Sequence, residues 1–190
     1  MKLVFLLEEP STKYLLDELL PRILPPDVLF QTIPHTGKRA LERSIPRKLR
    51  GWNEPGDVRF VIVHDQDTKD CHELKQALLA LCQGTGRQVL VRIACQEMEA
   101  WYFGDVQALA KAYDEPKLAK IAAQKKYRVP DEIPSPKEEL YRLLPEHQQI
   151  AGAKRVAPYM DIEHNTSESF RQFVTGVRRF AKTATYSKRH

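Results

Sequence analysis

The 190-residue sequence predicts an α/β fold, a mainly parallel central sheet flanked by helices with a helical C-terminal part. Three observations predict it. Apolar β-type runs alternate with stretches of helical periodicity, the pattern of βαβ units. Acidic residues sit just past the ends of two of those runs, Glu8 after the first and Asp65 and Asp67 after the third. Beyond Tyr113 the alternation fades into a proline-punctuated, Lys-rich stretch before one clear closing helix.

The first strand is Lys2 to Leu7 (KLVFLL). Pro10 and Ser11 then open a helix with Tyr14, Leu15, Leu19 and Leu20 turned inward, closed by Pro21. The second strand spans Val28 to Ile33. A basic helix succeeds it, its apolar stripe formed by Leu41, Ile45 and Leu49, with a kink or restart at Pro46. Val58 to Val63 (VRFVIV) is the third strand, and Leu74, Ala77, Leu78 and Leu81 mark a helix starting near Cys71 and stopped by Gly84 and Gly86. Val89 to Ile93 is the fourth strand. Pro116, Pro130, Pro134, Pro136 and Pro145 restrict the stretch beyond Tyr113 to short helices. The closing helix begins at a capping-box-like Asn165 and Glu168 and carries Phe170, Phe173, Val174, Val177 and Phe180 on one face.

With 42% hydrophobic and 29% charged residues, the composition is that of a soluble globular protein. One domain over 1–190 is expected, with a core of about 1–113 and a helical elaboration of about 114–190. No stretch approaches the ~20 apolar residues of a membrane span, and Leu3 to Leu7 is too short for a signal peptide, being followed at once by Glu8 and Glu9. The three cysteines, Cys71, Cys82 and Cys95, form no CxxC pair and are odd in number. That argues against a disulfide framework and fits a reducing compartment, so a cytoplasmic protein with no membrane partner is the expectation.

The net charge of +5 is unevenly spread. Between Lys38 and Arg50, six basic residues face one acid, Glu42. Arg39, Arg43, Arg47 and Arg50 recur at helical spacing, and with Lys38 they form either a solvated helix face or a surface for nucleic-acid phosphates. A second basic group, Arg178, Arg179, Lys182, Lys188 and Arg189, lies near the C-terminus.

In an open α/β sheet the ligand crevice lies beyond the carboxyl ends of the strands. Glu8, Asp65 and Asp67 are therefore expected to converge there, joined by Glu97 and Glu99 after the fourth strand. Clustered carboxylates each take up a proton or find a counter-ion, and hard oxygen donors favour Mg2+ or Mn2+. Asp65 and Asp67, two residues apart, share one side of an extended segment and suit a single cation. The competing reading is helix capping by Asp67, Thr68 or Asp70. Zinc is disfavoured although His64, Cys71 and His72 lie close by, because Cys71 and His72 are neighbours on a helix and would diverge, and tetrahedral sites want ligand pairs spaced two to four apart. Glu97 and Glu99 are candidates for a second ion, or one of them is a buried structural partner for an arginine. Trp101, Tyr102 and Phe103 are either a core cluster or a platform for bases. Glu9 and Asp70 are reserve acids. Asp65-Gln66-Asp67-Thr68 also reads as the D-x-D-x-T nucleophile motif of haloacid-dehalogenase-type (HAD-like) phosphatases, in which Asp65 would attack phosphorus and Asp67 act as acid and base. That fold wants the motif after its first strand, whereas two strands precede it here.

Glu8 after one strand and Asp65-x-Asp67 after another resemble the Toprim domain of topoisomerases, primases and overcoming-lysogenization-defect (OLD) nucleases. More closely, LLEEPSTKYLLDELLP, VHDQDTKDCHELK, RIACQEMEAWYFGD, AKRVAPYMD and NTSESF resemble the bacterial family named domain of unknown function 4276 (DUF4276), over nearly the whole chain. The resemblance implies a Toprim-like fold and a divalent-metal-dependent nuclease, an antiphage-defence component acting with an AAA-type ATPase. It also implies Lys154, in AKRVAPYMD, as a stabiliser of transition-state charge. On this reading Asp65 and Asp67 are ligands of Mg2+ or Mn2+, and Glu8 is a ligand or the general base. A non-catalytic nucleic-acid-binding or ATPase-partner subunit is the alternative. Toprim nucleases usually carry Glu-Gly at the first motif, where this chain has Glu8-Glu9.

Overall fold

The computed structural model describes residues 1–182, so Lys188 and Arg189 of the C-terminal basic group lie outside the described residues. Four strands, β1 (Lys2–Leu7), β2 (Leu29–Pro34), β3 (Val58–Asp65) and β4 (Val89–Ala94), form one sheet in the order β2-β1-β3-β4, every pair parallel. From β1 the chain moves outward to β2, and from β3 it moves outward the other way to β4. The order therefore reverses between β1 and β3, where Leu7 pairs with Val63. Glu8 leaves the sheet at that point and Asp65 closes β3 beside it.

Side chains alternate across the sheet. Leu3, Phe5 and Leu7 of β1 and Val61 and Val63 of β3 face one layer, built from α1 (Pro10–Ile23) and the closing helix α8 (Glu168–Lys182). Val4, Leu6, Phe60 and Ile62 face the other, against Leu41, Ile45 and Leu49 of α2 (Lys38–Gly51) and Leu74 and Leu78 of α3 (Cys71–Cys82). Leu118, Ile133, Leu140 and Val156 belong to the same buried cluster as Leu3 and Phe5, so the helical C-terminal part shares its core with the sheet.

Three local expectations change. Pro21 does not close α1, which runs to Ile23, because a proline in the last turn removes only its own N–H and Leu24 N–H still reaches Leu20 O (2.9 Å). α2 is likewise unbroken through Pro46, its buried Leu41, Ile45 and Leu49 stripe holding both halves to the sheet. The start of α8 is not an Asn165–Glu168 capping box. Ser167 Oγ accepts the Phe170 N–H (3.2 Å), Asp131 accepts the Ser169 N–H (2.7 Å), and Glu168 turns forward to Arg171 and Gln172. Of the two readings of Trp101, Tyr102 and Phe103 the core cluster holds, since on the short helix α4 (Ala100–Phe103) all three are buried. Trp101 donates its indole N–H to Ser169 Oγ (2.9 Å) and Phe103 stacks on Tyr127, so these rings are core and present no face to a base. Among the described residues no helix is long and apolar enough to cross a membrane.

Candidate functional site

The reversal between β1 and β3 gathers carboxylates. Glu8 is buried, and its Oε2 accepts the Asp65 N–H (3.1 Å) and lies 3.1 Å from His64 Nδ1. His64 is itself sealed in the sheet, with Nε2 3.4 Å from Glu42 of α2 but without hydrogen-bond geometry. Asp65 lies in the combined field of Glu99, Glu8, Glu9 and Asp67. The strand ends thus bring Glu8, Glu9, Asp67 and Glu99 into the field of Asp65.

Asp67 departs from the extended geometry expected of Asp65-x-Asp67. It adopts a left-handed conformation (φ 53°), which ends the strand pleat and turns its carboxylate to Lys38 Nζ (2.7 Å). The capping alternative falls to Asp70, whose Oδ1 accepts the His72 and Glu73 N–H groups (2.9 and 3.0 Å). Asp65 and Asp67 therefore carry no capping role at α3. Glu97 does carry one: its Oε2 accepts the Lys137 backbone N–H (2.9 Å) at the start of α6 (Pro136–Leu143), a structural partner that is a helix end and not an arginine.

Burial and mutual repulsion raise the pKa of Glu8, Asp65 and Glu99. Burial pushes Glu8 up against the opposing pull of His64 and the Asp65 N–H, and pushes Asp65 well above the carboxylate range. Glu99 is driven by burial to about 7, with Lys137 pulling the other way. Lys137 sits among Glu99, Glu9, Glu97 and Asp65, whose charges more than offset the burial that disfavours its own. Above them the Tyr102 hydroxyl is buried with no hydrogen-bond partner, held neutral first by burial and then by Glu99, Tyr113 and Asp65.

A carboxyl whose folded pKa is raised contributes stability below its unfolded value and loses that contribution as pH rises through the folded one. Without metal, the Glu99 contribution is expected to fade between pH 4.5 and about 7, amounting to on the order of 3 kcal/mol. Melting curves across that range should show a steeper fall for the parent than for Glu99→Gln. Parallel curves would mean that Glu99 is ionised throughout.

Among the described residues no three carboxylate, imidazole or thiol side chains stand closely enough to hold a metal ion as they are arranged. The donors at the edge are all hard oxygens, which fits Mg2+ or Mn2+ in kind, but Asp67 is engaged by Lys38 and Glu97 by α6. Lys154 has its Nζ 4.0 Å over the Tyr14 ring between α7 (Gln149–Val156) and α1. Besides Lys38 on Asp67, the structure brings to the carboxylates Lys137, which no local sequence signal marks. Glu9 bridges toward it, with Oε1 3.6 Å from Lys137 Nζ and Oε2 accepting from Gln149 (2.9 Å).

Arg39, Arg43, Arg47 and Arg50 are exposed on α2, opposite its buried stripe. Arg43, Arg47 and Lys48 line a hollow of about 350 Å³ against β2, with His35 and Ser44 at its base. The segment leading into α2 is tied to the β1 exit, where His35 N–H bonds Leu7 O (2.9 Å) and Gly37 N–H bonds Glu8 O (2.9 Å).

The chain belongs to the family described as a domain of unknown function (DUF4276), whose family model matches residues 7–178. That span takes in Glu8, Asp65, Asp67, Glu97, Glu99 and Lys137. No curated protein matches the chain. No solved structure does either.

Proposed function

We infer that the chain is a divalent-metal-dependent phosphodiesterase of Toprim type that cleaves nucleic acid. The observation that carries this reading is the convergence of Glu8, Asp65 and Glu99 at the carboxyl edge of the sheet, each with a raised pKa. Repulsion of this kind is costly to stability and is relieved by a cation. Glu8, Asp65 and Asp67 would hold a Mg2+ or Mn2+ ion, Asp67 after release from Lys38, with Glu99 in reserve for a second. When bound, the ion would neutralise the scissile phosphate and activate water.

The remaining work falls to the chain. Glu8 is placed to take a proton, since the Asp65 N–H fixes its carboxylate beside His64. Lys137 supplies positive charge to the carboxylate side and Arg43, Arg47 and Lys48 to the strand side. The motif likeness to Toprim proteins supports the reaction class, and action beside an AAA-type ATPase rests on that likeness alone. Incubating the protein with single- and double-stranded DNA and RNA, with Mg2+ or Mn2+ and with chelator, tests the reading: cleavage confined to the metal-containing lanes is expected. Intact substrate in every lane would leave a binding module.

The basic hollow gives a separate prediction. Each phosphate contact adds roughly 0.7 to 0.9 to the slope of log affinity against log salt. Replacing Arg43 and Arg47 together by Ala should flatten that slope by about one to two units, with the fold retained because both side chains point to solvent. An unchanged slope at unchanged affinity would make this a plain solvated face.

A further inference from the structure

Cys71 and Cys95 face each other across the two loops that carry the candidate carboxylates. Cys71 opens α3 after the Asp65 to Asp70 turn, and Cys95 follows the last residue of β4, two before Glu97. Their Sγ atoms are 4.0 Å apart, and both residues are part-exposed. The backbones beside them are already joined: Gln66 N–H donates to Ala94 O (2.9 Å), Asp67 N–H to Gln96 O (2.8 Å) and Gln96 N–H to Gln66 Oε1 (3.1 Å). A disulfide needs the sulfurs at about 2.05 Å, so a closure of about 2 Å between side chains on loops held in register would form one. Cys82 differs, its thiol donating to Leu78 O (3.2 Å) within its own helix.

We propose that Cys71 and Cys95 are a dithiol modification site, closed by a peroxide into an intramolecular disulfide that staples the Asp65–Asp67 loop to the Glu97–Glu99 loop. One sulfur attacks a peroxide oxygen, the O–O bond breaks, and the S–H proton leaves with the departing oxygen as water, giving a sulfenic acid. The second sulfur attacks that sulfenic sulfur, the S–O bond breaks, and a second water leaves with the remaining S–H proton. Two electrons pass from the thiols to the peroxide, and a dithiol reductant returns them. Such a reversible pair suits a reducing compartment, where a permanent disulfide would not persist. The site stands independently of the nuclease reading, since the cross-link is read without any activity.

Trypsin cuts after Lys69, Lys75, Arg87, Arg92 and Lys111, which separates the three cysteines into peptides 70–75, 76–87 and 93–111. The protein is oxidised with hydrogen peroxide, its free thiols are alkylated, and it is digested without reductant. Peptide 70–75 joined to peptide 93–111 is expected, from protein that runs as a monomer on a non-reducing gel, with peptide 76–87 alkylated. The joined peptide should vanish on treatment with dithiothreitol and in Cys71→Ser and Cys95→Ser, and persist in Cys82→Ser. Separate oxidation or full alkylation of peptides 70–75 and 93–111, linkage of either to peptide 76–87, or linkage only between molecules would overturn the proposal.

Discussion

Glu8→Gln is expected to lower metal-dependent cleavage by about 10^2- to 10^4-fold, the usual contribution of a positioned base, while leaving the fold and nucleic-acid affinity in place. The fold should survive because the amide oxygen can still accept the Asp65 N–H that Glu8 Oε2 accepts at 3.1 Å. Turnover should not, because the amide neither binds a cation as a carboxylate does nor takes a proton at neutral pH. Affinity should hold because the basic hollow, lined by Arg43, Arg47 and Lys48, is untouched. Single-turnover cleavage and equilibrium binding, measured side by side, separate these effects. Turnover at the parent rate would move the role to Glu9, which faces Lys137 and Gln149.

The largest stability effect is expected at Trp101. It is fully buried, its indole N–H reaches Ser169 Oγ, and its ring packs on Phe170 and Phe173 at centroid distances of 5.3 and 5.2 Å. It therefore ties the β4 exit to α8. Trp101→Ala should cost about 3 to 5 kcal/mol, as truncation of a buried aromatic does, and remove the indole donor from Ser169 Oγ. Denaturant unfolding measures it. A loss below about 1 kcal/mol, accompanied by weaker nucleic-acid binding, would restore the base-stacking role that burial rules against.

Much of this architecture is legible in the sequence, for physical reasons. Buried parallel strands need continuous apolar runs, so KLVFLL and VRFVIV announce themselves, and the acids that end them mark the carboxyl edge. The amphipathic pattern of α2 likewise assigns Leu41, Ile45 and Leu49 to the core and the arginines to solvent. What escapes is everything set by tertiary packing. The strand order that puts Glu8 beside Asp65 has no local signature. The left-handed turn at Asp67, fixed by its N–H bond to Gln96 O, breaks the pleat that two-residue spacing presumes. Lys137 and Lys154 look alike in a Lys-rich stretch, and only the docking of α6 onto Glu97 sends the first to the carboxylates while α7 lays the second on Tyr14. The cap of α8 escapes for a related reason, since Ser167 acts together with the distant Asp131.

The claim on which the rest depends is that the carboxylate edge binds a divalent cation. Calorimetric titration of Mn2+ into the parent, Asp65→Ala and Asp67→Ala measures it directly. Saturable binding by the parent is expected, weakened in both variants, with metal-free Asp65→Ala melting no lower than the parent because repulsion from Glu8 and Glu99 is relieved. Equal binding by all three proteins, or none by the parent, would contradict the account.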